Sequence, residues 1–161
     1  MPKDDYYVGE TKNGKPNGRG TMYFKDGARY VGQWKNGVMH GVGVFSWDNG
    51  SVLTVEWVEG KPKGFGSFKM SNGDKLVGEF IGTKLNGKGI ISFFDGREYI
   101  GELKDSVMHG HGVLFGSDGE KIEGQWVNGE ACGWGTFISS EGDITEGYLG
   151  EEKAQEEKKP E

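Results

Sequence analysis

The chain has 161 residues, a formal net charge of −6, and 31 glycines against 4 prolines. Its length suits one domain, and its negative charge argues against coating nucleic-acid phosphates or strong attraction to anionic lipid. Because the glycines do not fall at every third residue and proline is scarce, a collagen helix is excluded. Aromatic residues make up 12% of the chain, which argues against a disordered linker.

The first residues, MPKDDYYVGE, are charged and lack an apolar core, so no signal peptide is predicted. No run of about 18 apolar residues is present, so no membrane-spanning helix is expected. The single cysteine, Cys132, excludes an internal disulfide and weakly favours a reducing compartment. We therefore expect a cytoplasmic chain, with residues 1–6 as a short lead before the first repeat.

From Tyr7 onward the sequence repeats every 23 residues without a gap. Glycine occupies positions 12, 14 and 21 of every full row, and bulky residues recur at positions 5 and 16. The rows begin at Tyr7, Tyr30, Leu53, Leu76, Tyr99 and Ile122, with a partial seventh at Thr145. Such a period predicts a repeat domain over 7–149. Residues 150–161 (GEEKAQEEKKPE) are predicted to be a charged, disordered tail.

Each row contains two turn signals separated by short segments with strand-like alternation. Asn-Gly and Asp-Gly pairs supply the positive φ values of tight hairpin turns. They occur at Asn13-Gly14, Asn36-Gly37 and Asn128-Gly129, and again at Asp26-Gly27, Asn49-Gly50, Asn72-Gly73, Asp95-Gly96 and Asp118-Gly119. Sequential strands pair antiparallel. The predicted fold is all-β, a single-layer antiparallel meander of about twelve strands, twisted and elongated.

The second row carries the motif Tyr30-Val-Gly-Gln-Trp34 followed by Gly37-Val-Met-His40-Gly-Val-Gly43. This pattern, Y-x-G-x-W-x-x-G-x-x-H-G-x-G, resembles the MORN (membrane occupation and recognition nexus) repeat. The resemblance covers residues 7 to about 149, as six repeats and part of a seventh. It implies an elongated twisted sheet with an open groove along one face. It also implies an assembly module of the kind found in cilia, cytoskeletal structures and membrane junctions.

Large rings and glycines alternate on one face of the predicted sheet. Tyr30, Gly32 and Trp34 point the same way, and Gly41, Gly43 and Phe45 belong to the richer apolar set of the next strand. Glycine inside a strand usually allows another group to approach closely. We therefore predict that Gly32, Gly41 and Gly43 form a floor on which Tyr30, Trp34 and Phe45 lie.

The same face is the candidate partner-binding groove. An apolar stripe on a one-layer sheet usually marks an interaction site, and a groove lined by rings suits an amphipathic helix or an extended peptide. The predicted groove residues are Tyr30, Trp34, Phe45, Trp47, Trp57, Phe68, Met70, Phe80, Phe93, Tyr99 and Trp126. The open ends of the sheet offer a second contact, through edge pairing or end-to-end assembly of copies.

No catalytic residue, metal site or cofactor is predicted. His40 and His109 occupy one repeat position, where hydrogen bonding at a strand end is the simpler role. His109 and His111 lack a third ligand, and Cys132 has no Cys-x-x-Cys partner. The glycines match no phosphate-binding motif, and the repeats leave no room for a catalytic domain.

The leading hypothesis is a non-enzymatic scaffold or adaptor that holds a protein partner, a helix or an extended peptide, in the groove. The resemblance places such a protein in a cytoskeletal or ciliary assembly in the cytoplasm. A phospholipid- or phosphoinositide-binding membrane tether is the alternative, although the net charge weighs against it. Nucleic acid is not an expected partner.

Overall fold

A computed structural model of the protein describes residues 4–150, which form one antiparallel sheet. The strands are β1 (Tyr6–Lys12), β2 (Lys15–Tyr23), β3 (Arg29–Lys35), β4 (Val38–Ser46), β5 (Val52–Val58), β6 (Lys61–Lys69), β7 (Lys75–Ile81), β8 (Lys84–Ser92), β9 (Glu98–Lys104), β10 (Val107–Phe115), β11 (Lys121–Val127), β12 (Glu130–Ile138) and β13 (Ile144–Leu149). Their order in the sheet is their order in the chain. The predicted all-β meander is therefore confirmed.

The sheet has thirteen strands rather than about twelve, because the partial seventh row contributes β13. It is not closed into a barrel, since β1 and β13 each pair with a single neighbour. No helix in residues 4–150 is long and apolar enough to cross a membrane. Beyond Gly150, the predicted charged tail lies outside the described residues, as do the first three residues of the predicted lead.

The odd-numbered strands turn into the even-numbered ones through two-residue connections with positive φ. Between β3 and β4, Asn36 has φ 51° and Gly37 has φ 88°, as a type I′ turn requires. The Gly37 N–H donates to the Pro16 carbonyl at 2.8 Å, which ties this turn to the preceding repeat. Between β7 and β8 there is no Asn-Gly pair, and Gly82 supplies the positive φ (65°) instead.

The even-numbered strands turn back through five-residue loops that the side chain at repeat position 20 holds together. Asp26 Oδ1 accepts a hydrogen bond from the Ala28 N–H at 3.0 Å. Asn49, Asn72, Asp95 and Asp118 make the same bond in their own repeats. An Asx-type bond of this kind explains the Asp or Asn at this position in the first five rows. In the sixth loop, the Asp143 N–H donates instead to Ser139 Oγ at 3.1 Å.

Each of the six hairpins that join an odd-numbered strand to the next even-numbered strand contains a β-bulge, and the hairpin of β3 and β4 is an example. Gly32 lies opposite Gly43, but the next residue, Gln33, lies opposite His40. Gly41 falls in this bulge with φ 59°, and a Cβ there would meet the Gln33 side chain. Gln33 lies on the opposite face from Tyr30. The prediction that Gly41 supports a ring is therefore wrong, because the bulge turns this residue away from the ring-bearing face.

The β9–β10 and β11–β12 hairpins follow the same pattern. Their register also shifts, between Met108 and Gly112 and between Glu123 and Gln125. All six hairpins that join an odd-numbered strand to an even-numbered one therefore carry the irregularity. Because the pairing moves by two residues, the side chains keep their faces on both sides of it.

Gly32 and Gly43 do form a floor for a ring, as predicted, and that ring is Tyr30. A Cβ on Gly43 would lie 2.5 Å from two carbons of the Tyr30 ring, and one on Gly32 would lie 2.7 Å from the ring carbon Cζ. Trp34 reaches further, and its indole Nε1 donates to the Gly20 carbonyl at 3.2 Å, in the preceding repeat. The ring-bearing face thus packs within and between repeats.

The hydrophobic core lies on this one face of the sheet. Its buried members are Tyr30, Trp34, Leu53, Val55, Trp57, Leu76, Phe80, Leu85, Ile91, Tyr99, Leu103 and Trp126. Rings and aliphatic side chains lie directly on the backbone of the sheet. Residues 4–150 therefore form a hydrophobic core without a second sheet or a layer of helices. We call this the core face, and the other side of the sheet the opposite face.

Candidate interaction surface

All eleven predicted groove residues lie in one hydrophobic cluster on the core face. Six of them are buried by their neighbours: Tyr30, Trp34, Trp57, Phe80, Tyr99 and Trp126. Trp57 Nε1 donates to the Gly43 carbonyl at 3.3 Å, and Trp126 Nε1 donates to the Gly112 carbonyl at 3.0 Å. These six side chains hold the repeats together and present little surface to a partner.

Two of these buried side chains, Tyr30 and Tyr99, are also held by hydrogen bonds to the backbone. The Tyr30 hydroxyl donates to the Gln33 carbonyl at 3.1 Å and lies 3.4 Å from the His40 carbonyl. Tyr99 repeats the arrangement with Glu102 and His109. Burial raises the pKa of both phenols to about 12, because the charged phenolate would lose its hydration.

The other five predicted groove residues are only partly buried: Phe45, Trp47, Phe68, Met70 and Phe93. Three of their rings are in sequence, since Phe45 lies 4.6 Å from Trp47, and Trp47 lies 5.5 Å from Phe68, measured between ring centroids. The accessible part of the candidate surface is therefore narrower than predicted and lies near one row of turns.

Phe24 belongs to this accessible set, although the sequence reasoning missed it. It is partly buried, and its ring centroid lies 5.6 Å from that of Phe45. It occupies repeat position 18, as do Trp47, Met70 and Phe93, and comparison of that position across all rows would have found it. We call these four residues the apolar ledge. In the fifth and sixth repeats the position holds Gly116 and Ser139, so the ledge ends there.

The two long edges of the sheet, each formed by a row of turns, carry opposite charge. Counted over the loops and the strand residues next to them, the edge beside the apolar ledge, the acidic edge, has nine acids against six bases. The acids are Asp26, Asp48, Asp74, Asp95, Glu98, Asp118, Glu120, Glu141 and Asp143, and the bases are Lys25, Arg29, Lys69, Lys75, Arg97 and Lys121. The other, the lysine edge, has three acids against six lysines: Lys12, Lys15, Lys35, Lys61, Lys84 and Lys104. The net charge of the whole chain conceals this separation.

The opposite face has a different character. A row of mainly β-branched residues crosses it, and Val77, Ile90, Ile100 and Val113 form its most apolar part. These side chains and Phe65, which is 70% exposed, line an open cleft of about 510 Å³. Lys88, Glu102 and His111 stand along the same cleft. Charged groups thus interrupt the apolar surface on this face.

The histidines and the cysteine form no reactive arrangement that we can identify in residues 4–150. His40 and His109 use their backbone carbonyls, as acceptors for Tyr30 and Tyr99. His111 Nε2 lies 4.0 Å from Glu123 Oε1 on the opposite face. Within the described part of the chain, no three His, Cys, Asp or Glu side chains are placed to hold a metal ion.

The fold and this surface define a class of protein: a single-sheet β-hairpin repeat protein with rings packed on glycine. A family model for the MORN repeat matches residues 7–29, 30–52, 56–75, 77–96, 99–121 and 123–144. The chain therefore belongs to the MORN-repeat family. The match begins after the first residue of the row in the third, fourth and sixth repeats, where Leu53, Leu76 and Ile122 replace the tyrosine.

Other comparisons add little to this assignment. No curated protein matches the chain significantly. Among solved structures, the chain is similar to the SAS-4 (dCPAP) TCP domain of Drosophila melanogaster, solved in complex with a proline-rich motif of Ana2 (dSTIL). That similarity has a TM-score of 0.38 at 10% identity, and it covers 80% of this chain and 83% of the other.

Proposed function

We propose that the protein is a non-enzymatic interaction module that binds a segment of a partner protein along the half-buried rings of the core face. The contact residues would be Phe45, Trp47, Phe68, Met70 and Phe93, extended by Phe24. MORN repeats generally serve as binding modules rather than enzymes, which agrees with this role. The proposed setting is a cytoskeletal or ciliary assembly in the cytoplasm.

The observation that carries the proposal is the graded burial of this face. Rings at the middle of the strands are already covered, whereas those beside the acidic edge keep part of their surface in water. A partner segment laid on them would remove this remaining apolar surface, at roughly 25 cal/mol per Å². The buried rings beneath would hold the contact rings in place, so little conformational entropy would be lost on binding.

The experiment is an affinity capture from cell extract with quantitative mass spectrometry, comparing wild type with Trp47→Ala/Phe93→Ala. Trp34 and Trp57 would be poor probes, because they are 6% and 4% exposed and their loss would disturb the fold. We expect at least one partner to be retained by wild type and lost by the double variant. Direct binding of that partner should then be measured with purified proteins.

A matched control is available on the opposite face. Phe65 and Trp134 are 70% and 68% exposed there, so Phe65→Ala/Trp134→Ala removes two aromatic side chains of comparable size. This control should keep the partner. Loss of the partner in the control, with retention in the Trp47/Phe93 variant, would place the contact on the opposite face and contradict the proposal.

A membrane-tethering role is the second candidate, and the lysine edge is the observation that favours it. Six lysines along one row of turns could approach anionic headgroups even though the chain is acidic overall. Flotation with phosphoinositide-containing vesicles at physiological salt tests this role, with Lys35→Gln/Lys61→Gln/Lys84→Gln as the variant. Binding that the variant abolishes would support the tether, and absence of flotation by wild type would reject it.

A further inference from the structure

The fourth repeat contains a cation bound to the apolar ledge by the chain itself. The Arg97 guanidinium carbon lies 4.9 Å from the centroid of the Phe93 ring. The same side chain donates from Nε to Asp95 Oδ2 at 2.9 Å. One guanidinium thus covers a ring and pairs with a carboxylate of the same loop, a combination for which arginine is better suited than lysine.

The first three repeats have the apolar residue and an acid in the same loop, but not the arginine. Only in the first repeat does that acid, Asp26, stand at the position of Asp95, where the second and third repeats have Asn49 and Asn72. Phe24 stands beside Asp26, Trp47 beside Asp48, and Met70 precedes Asp74 in the same loop. The position of Arg97 is taken by Ala28, Ser51 and Asp74 in these repeats. Among the described residues, the ion pairs are Arg97–Asp95 and His111–Glu123, so these three carboxylates have no basic partner within that part of the chain.

The surrounding charge favours a cationic occupant. These acids stand on the acidic edge, where nine acids outnumber six bases. The Asp48 side chain lies against Gly27, next to Asp26, so carboxylates of successive turns are neighbours. A positively charged segment along this edge would be attracted at a distance and then held at each repeat.

We propose that the partner segment is arginine-bearing, and that its guanidinium groups lie on the apolar ledge in repeats one to three, as the Arg97 guanidinium lies on it in repeat four. This inference rests on the proposed function, because it requires the apolar ledge to be the contact surface. Each guanidinium lies over Phe24, Trp47 or Met70 and pairs with Asp26, Asp48 or Asp74. Successive repeats are two strands, or about 10 Å, apart, which matches about three residues of an extended peptide.

The test uses a synthetic peptide in which Arg-Leu-Gly is repeated four times, blocked at both ends, with a matched Lys-Leu-Gly peptide. Binding is followed by nuclear magnetic resonance of the backbone amides at roughly physiological salt. We expect the arginine peptide to shift the amides of residues 25–28, 48–51 and 71–74, and to bind several-fold more tightly than the lysine peptide.

Variants distinguish pairing at specific carboxylates from non-specific electrostatic attraction of the peptide to the acidic edge. Asp26→Asn/Asp48→Asn/Asp74→Asn removes three charges and keeps the side-chain oxygens that accept from the Ala28 and Phe94 N–H groups. It should weaken peptide binding at least tenfold. Asp118→Asn, in the fifth repeat where Gly116 replaces the ring, should change it less than twofold. Arg97→Ala should tighten binding, because Phe93 and Asp95 become a further site.

Three results would overturn the inference: no binding of the arginine peptide, equal binding by the triple variant and wild type, or weaker binding by Arg97→Ala. Failure of the proposed function would give a different pattern of partner retention. If a natural partner is lost with Trp47→Ala/Phe93→Ala but kept by the triple Asn variant, the ledge is the contact surface and only the arginine assignment fails. If both variants keep the partner, both proposals fail.

Discussion

The second and fourth repeats contain the same pair of glycines but cover it differently. In the second repeat, the Tyr30 ring lies over Gly32 and Gly43. In the fourth, the equivalent glycines are Gly78 and Gly89, and the methyl groups of Leu85 lie over both. Tyr30 comes from the first strand of its hairpin and Leu85 from the second. The glycine pair therefore defines a slot, and either a ring or an aliphatic side chain can fill it.

The two repeats also differ in the polar contacts of the side chain that covers the glycines. The Tyr30 hydroxyl bonds to backbone carbonyls at the bulge, whereas Leu85 carries no polar group and fills its slot by apolar contact alone. Ring slots should thus respond to loss of a hydroxyl and to alkaline pH, and the aliphatic slot should respond only to loss of volume. Three experiments test this contrast.

The largest effect is expected from Gly43→Ala. The new Cβ would overlap the Tyr30 ring, and displacing a buried ring costs about 3–5 kcal/mol. Tyr30→Leu should partly rescue the change, since it installs the residue that Leu53 and Leu76 provide at this repeat position. Urea unfolding of the single and double variants measures this coupling.

Gly147→Ala is the control for that series, because a Cβ there would meet nothing within 4 Å. It should leave the free energy of unfolding nearly unchanged. If Gly43→Ala is equally harmless, the ring does not need bare backbone beneath it. If the double variant is as unstable as the two single changes added together, the ring and the glycine are not coupled.

A slightly smaller effect is expected from Leu85→Ala, which empties the aliphatic slot. Leu85 is fully buried, and truncation of such a side chain typically costs about 3 kcal/mol. Thermal and urea unfolding would measure the loss. Ile81→Ala is a suitable comparison, because Ile81 is 70% exposed and its truncation should cost much less. Equal losses would mean that the slot is not the source of the stability.

The smallest effect is expected from Tyr30→Phe, which keeps the ring and removes its hydroxyl. At neutral pH the loss should be about 1 kcal/mol, the usual net value of one hydrogen bond. The folded protein raises the phenol pKa from 10.0 to about 12, so it favours the neutral form. This contribution is complete below pH 10 and declines as the pH rises from 10 towards 12.

The difference in unfolding free energy between wild type and Tyr30→Phe should therefore shrink between pH 8 and pH 11. Tyr148 is 57% exposed, so Tyr148→Phe should leave stability unaffected at pH 8. A Tyr30→Phe deficit that grows at alkaline pH would contradict the direction of the pKa shift.

Much of the fold could be predicted from local signals. Turns depend on residues that tolerate positive φ, such as Asn36 and Gly37, and strands depend on alternation within a few residues. The same signals placed Gly32 and Gly43 beneath a ring. They could not reveal that Gly41 faces Gln33, because this follows from a two-residue slip in pairing between strands.

The candidate surface was less predictable than the fold. The alternation of residues along each strand predicted that eleven side chains share one face. How far each of them is buried depends on which side chains of the adjacent strands cover it. Trp57 is covered by Tyr30 at 5.2 Å, while Trp47 keeps part of its surface open. Apolar content alone favours the second to fourth repeats, whereas repeat position also marks Phe24.

The sequence by itself determined the repeat length, the turns, the strand count to within one, and the face on which rings and glycines meet. These depend on interactions between residues near one another in the chain. Only the tertiary structure decided which rings are buried, which remain accessible beside the acidic edge, and that Arg97 lies over Phe93. Those outcomes depend on packing and charge across strands and loops, which periodicity alone does not specify.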